Sequence, residues 1–123
     1  MTVVLLALAG GIGAASRFVV DGLIRGRVRT ALPWATIFIN VSGSLLLGFI
    51  AGLVMRGHAP ESLQMILGTG FLGGYTTFST ANLETIRLVQ SGRTGLALLN
   101  GIGSMVASVA AAALGAWIAL LLP

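Results

Sequence analysis

Apolar residues run along this chain in four long blocks separated by short polar turns. Each block is near the ~20 residues that a helix needs to cross a ~30 Å hydrocarbon core. The first covers about Val3 to Ile24 and ends at the basic loop Arg25-Gly26-Arg27-Val28-Arg29. A second follows Pro33 over about Trp34 to Met55, since proline is tolerated at a helix start. Arg56-Gly57-His58-Ala59-Pro60-Glu61 makes a turn with Gly and Pro as breakers. The third block, about Ser62 to Gln90, is longer than one crossing needs, and Ser91-Gly92-Arg93-Thr94 separates it from the fourth, about Gly95 to Leu122. The pattern predicts one all-α membrane domain over residues 1–123, with four transmembrane helices. Met1 to Ala9 lacks a leading positive region, so it is expected to stay as part of the first span rather than leave as a signal.

The third block holds the irregularity. Gly70-Phe71-Leu72-Gly73-Gly74-Tyr75-Thr76-Thr77-Phe78-Ser79-Thr80 puts three glycines and four Ser/Thr hydroxyls near its middle. Glycine weakens a helix, and unpaired backbone at hydrocarbon depth costs several kcal/mol. Non-helical backbone survives there only inside protein or along a polar cavity. The third helix is therefore predicted to break near its middle, at an ion site.

Composition agrees with a membrane class: 8% of residues are charged, 56% are apolar and the mean hydropathy is +1.01. The pI near 11.6 rests on seven arginines and no lysine against three carboxylates. No basic run interleaves with aromatics, so no nucleic-acid partner is expected. Cysteine is absent, which removes disulfides, thiolate metal sites and thiol nucleophiles.

Small residues recur every fourth position on the second helix, at Asn40, Ser44, Gly48 and Gly52, and on the fourth, at Asn100, Ser104, Ser108 and Ala112. Such rows let helices approach closely and support association; their amide and hydroxyls could instead line a polar track for an ion. Arg17 lies deep in the first span, with Asp21 at i+4 as its expected helical partner. Glu84 is expected to find a helix end or an interfacial arginine such as Arg87. His58 belongs to a loop and is expected to be solvated.

No nucleophile–base pair and no ligand cluster is present, so neither an enzyme nor a metal catalyst is expected. A broken helix frees carbonyls, which with a threonine hydroxyl suit a hard monovalent cation. It also frees N–H groups, which with hydroxyls suit an anion. Phe78 could turn the positive rim of its ring toward that anion.

The stretch from Gly70 to Thr80 closely resembles the signature of the CrcB/Fluc fluoride channels. Gly10-Gly11-Ile12-Gly13-Ala14-Ala15-Ser16-Arg17 is similar to that family's first-helix pattern, and Pro33 through Asn40 with Gly43 and Gly48 is similar to its second. The resemblance implies passive fluoride export through an antiparallel, dual-topology dimer with two pores and one structural Na⁺. It assigns the Na⁺ to backbone carbonyls of Gly73 and Thr76. Along the fluoride path it places Phe78 and Asn40, with Ser104 and Ser108 on the fourth helix and Thr77 and Ser79 beside Phe78. Arg17 would shape the vestibule or hold the structure.

The chain departs from that pattern at Ala81, where the family usually carries a second phenylalanine. Its loops are also unbalanced. Arg25, Arg27, Arg29, Arg87 and Arg93 fall on one side against Arg56 on the side of the termini. The chain is expected in the cell's inner membrane, and this bias predicts both termini outside. Together the two features favour one half of a heterodimer with an oppositely oriented paralogue over a homodimer. A non-conducting or half-functional partner subunit is the alternative. A small proton-coupled multidrug antiporter is a further rival, disfavoured because its first-span carboxylate could only be Asp21, near the span's end.

Overall fold

The computed structural model describes all 123 residues, and every regular element in it is helical. Helices α1 (Thr2–Arg27), α2 (Trp34–Met55) and α5 (Thr94–Leu121) are each long and apolar enough to cross a membrane. The third apolar block is divided between α3 (residues 61–75) and α4 (Ser79–Gln90), with residues 76–78 outside either helix. Thr76 takes extended backbone angles, φ −78° and ψ 160°, which stops α3 near the middle of the third block as the glycine and threonine content predicts.

Two stretches are wound more widely than an α-helix. Gln64–Leu72 in α3 and Leu99–Gly103 in α5 are π-helical. Such widened turns are uncommon and concentrate at functional sites. No spacing in the sequence announces them.

The rows of small residues are used inside the chain. A Cβ at Gly48 would overlap the Ala112 carbonyl, one at Gly115 the Leu45 carbonyl, and one at Gly52 would lie 2.7 Å from the Ala119 Cβ. Helices α2 and α5 thus meet backbone to backbone, the close approach that small residues permit in a membrane. The α2 seam from Gly48 to Gly52 packs on α5, so its small residues serve packing within one subunit. Helices α1 and α3 meet in the same way, with Gly13 against the Phe71 carbonyl and Gly74 against the Gly10 carbonyl. Between the pairs, Ile39, Leu72 and Tyr75 form a small buried cluster.

The helices turn at two left-handed glycines, Gly57 (φ +74°) and Gly92 (φ +79°). Each lies just past a helix end. His58 then donates to the Leu53 carbonyl, and Arg93 to that of Leu88, closing free carbonyls in the Schellman manner.

Asp21 pairs with Arg25 at 2.8 Å, one turn C-terminal, and not with Arg17. Glu84 likewise does not pair with Arg87. Its carboxylate takes Arg25 at 3.1 Å and the hydroxyl of buried Thr36. Arg25 is the better partner for both acids because it alone can bridge them, tying the end of α1 to α4 across the start of α2. Arg17 has no carboxylate partner.

Only 19 of the 123 residues are buried, and the accessible surface is 7494 Å². A compact soluble monomer of this mass exposes about 6,200 Å². The excess is apolar: Phe18, Phe78, Met55 and Trp117 are among the exposed large side chains. Such a surface suits hydrocarbon or a protein partner, and not water.

Candidate functional site: a polar groove at the helix break

Where α3 stops, two backbone groups of Thr77 need partners, and Asn40 on α2 supplies both. The Thr77 N–H donates to Asn40 Oδ1 at 2.8 Å, and Asn40 Nδ2 donates to the Thr77 carbonyl at 2.8 Å. The Thr77 hydroxyl then accepts the Thr80 N–H at 3.2 Å, so it starts α4 as an N-terminal cap does. One amide and one hydroxyl thus stabilise a break that hydrocarbon alone would not tolerate.

Just before the break, the backbone keeps free acceptors. Thr76 donates both its N–H and its hydroxyl to the Leu72 carbonyl, 2.9 Å each. No hydrogen bond runs to the carbonyls of Gly73 or Thr76. A donor set of uncharged carbonyls with no carboxylate beside it suits a weakly charged hard cation better than a divalent one. The residues present therefore fit the structural Na⁺ that the resemblance implies.

The break opens into a groove of about 660 Å³ between α2, α3, α4 and α5. Asn40, Gly73, Thr76, Thr77, Phe78, Ala81, Ser104 and Ser108 all line it. Ser79 and Arg17 do not; Ser79 opens α4 on its exposed side, and Arg17 stays on α1. Phe78 is 81% exposed, so its ring packs against little of its own chain. Ala81, one turn further on, leaves the wall beside it without a second ring.

Ser104 donates to the Asn100 carbonyl, which leaves its oxygen lone pairs free. Asn100 is buried and donates to Thr85, which in turn donates to the Ala81 carbonyl. Every buried side-chain polar atom has a partner. The hydroxyls of Ser44, Thr69 and Ser108 form no such bond and open onto the groove, where they can donate to an anion. Thr69, Asn82 and Thr85 also line it and were not expected from the sequence. Ser44 and Thr85 had a signal, a four-residue step from Asn40 and from Ala81; Thr69 lies in the π-helical stretch, where α-helical spacing misplaces side chains.

A membrane domain whose helix breaks beside a groove of unbonded carbonyls and free hydroxyls has the parts of an ion-conducting protein. This chain belongs to the CrcB family: the model described as "CrcB-like protein, Camphor Resistance (CrcB)" matches residues 4–116. The family is one of ion channels and not of enzymes. "Fluoride-specific ion channel FluC 1" of Leifsonia xyli subsp. xyli is 46% identical over 118 residues, covering 96% of this chain and 86% of that protein. "Fluoride-specific ion channel FluC" of Novosphingobium aromaticivorans is 49% identical over 117 residues, 89% of each. "Fluoride-specific ion channel FluC 2" of Mycobacterium bovis is 46% identical over 112 residues, 91% of this chain and 86% of the relative.

Proposed function

We propose that this chain is a subunit of a fluoride-selective channel that lowers cytoplasmic fluoride by passive efflux across the cell's inner membrane. The observation that carries this reading is the groove itself. It gathers Asn40 of α2, Thr77 and Phe78 of the break, and Ser104 and Ser108 of α5 onto one surface. Fluoride sheds water stepwise onto donors that keep a free proton, the Asn40 amide and the hydroxyls of Thr77 and Ser108, and slides past the edge of Phe78, each site weak enough to release it again. Flow is downhill and outward when weak-acid entry of HF has loaded the cell. Arg17 lies outside the groove and unpaired, which leaves it the long-range part of drawing anions toward the protein.

An open groove and an excess of apolar surface support completion of the pores in an antiparallel dimer. Gly73 and Thr76 of each subunit would hold a structural Na⁺ through their carbonyls. Bound there, that ion would supply the positive charge that lets carbonyl dipoles from two subunits converge.

Ala81 supports a second feature, assembly as a heterodimer with an oppositely oriented paralogue that brings the missing ring. The arginine-rich side would face the cytoplasm and both termini the outside. Fluoride release from liposomes, read with a fluoride-selective electrode, separates the cases. Vigorous release from the chain alone means a homodimer that tolerates Ala81. Release only after Ala81→Phe means a heterodimer half. No release from either overturns the channel reading.

A further inference from the structure

A second groove, of about 510 Å³, lies where α1 ends and α2 begins. It is lined by Val20, Leu23, Ile24, Val28, Trp34 and Phe38, with no polar atom. Val20, Leu23 and Ile24 stand at i, i+3 and i+4 of α1, and the next residue of that stripe, at i+7, is Arg27. Val28 carries Arg29 on its other side. Both arginines are exposed and neither has an ion-pair partner.

No acid of this chain can serve them. Of its three carboxylates, Asp21 and Glu84 are held by Arg25, and Glu61 begins α3 beyond the α2–α3 turn. A second copy would bring the same net charge of +4 and the same committed acids. Trp34 at the groove's rim is the amphipathic ring that favours the headgroup level of a bilayer. An all-apolar groove whose lining residue Val28 is flanked by two unneutralised arginines matches one kind of molecule.

We propose that this groove is a site for an anionic phospholipid, its acyl chain along Val20, Leu23, Ile24 and Phe38 and its phosphate on Arg27 and Arg29. Basic residues just outside a membrane helix each favour anionic headgroups by about fivefold. Apolar contact alone would not distinguish headgroups, so selectivity resides in the two arginines.

Trp34 is one of two tryptophans, so Trp117→Phe makes it the sole reporter. The full chain with that substitution is reconstituted in vesicles containing either phosphatidylglycerol or phosphatidylcholine with brominated acyl chains, which quench tryptophan on contact. Phosphatidylglycerol is expected to occupy the groove at least about fivefold more strongly. The preference should shrink in the Arg27→Gln, Arg29→Gln double variant and at high salt. Equal quenching by the two lipids with both arginines intact overturns the proposal, as does a preference that the double variant keeps. Protection of Trp34 from both lipids also overturns it, since a protein partner would then fill the groove.

Discussion

Asn40 and Thr77 form a closed pair, in which one side-chain amide both accepts from and donates to the backbone of a residue 37 positions away, each bond 2.8 Å long. The amide takes the place of a neighbouring strand for a segment that has left its helix. Its role is to hold the break as well as to line the groove.

Asn40→Ala removes both bonds and leaves a buried N–H and carbonyl of Thr77 without partners. The expected cost is about 2–6 kcal/mol of stability, from roughly 1–3 kcal/mol for each of the two stranded groups. Thermal unfolding in detergent reads the loss. Unchanged stability would mean that water or lipid headgroups satisfy Thr77 as well as Asn40 does.

Gly48 meets the Ala112 carbonyl with no room for a Cβ, whereas a Cβ at Gly22 would touch nothing within 4 Å. Gly48→Ala is expected to destabilise the chain by about 1–3 kcal/mol through overpacking at backbone that cannot move aside. Gly22→Ala should be neutral or slightly stabilising, because alanine is the better helix former. Parallel unfolding curves for the two variants check the contrast; equal effects would mean that α2 and α5 are less tightly joined.

Phe78 is exposed and Ala81 lies beside it on the groove wall. Ala81→Phe adds the ring without disturbing a packed core and is expected to raise fluoride efflux from the chain reconstituted alone. Detergent extraction frees both orientations, so antiparallel pairing can occur in that assay. Phe78→Ala on the same background should return efflux to the level of empty liposomes while the melting temperature stays within a few degrees. Efflux that ignores both substitutions would place the anion path elsewhere.

Three long apolar helices and the break in the helical stretch between the second and third of them were legible from glycine, threonine and the apolar blocks, since hydrocarbon permits few other arrangements of these residues. Most groove residues were legible too, from the four-residue spacing along α2 and α5 and from the resemblance. Pairing was not. Asp21 has an arginine one turn away on each side, Arg17 and Arg25, and helical spacing cannot choose between them. The choice is made by Glu84, which arrives from α4 and shares Arg25. The small-residue row on α2 was visible as a packing face, but periodicity does not say which helix it meets; α5 of the same chain takes it. Thr69 was hidden because the π-helical turn rotates it toward the groove, and no residue pattern marks where such a turn begins.

The most direct check on fluoride conduction through this groove is paired efflux of fluoride and chloride from liposomes, potassium-loaded and made permeable to potassium, with the Ala81→Phe chain incorporated. Fluoride should leave at least about tenfold faster than chloride, since a path of weak donors past ring edges accommodates the smaller halide. Chloride leaving as fast as fluoride, or neither ion leaving faster than from protein-free vesicles, would contradict it.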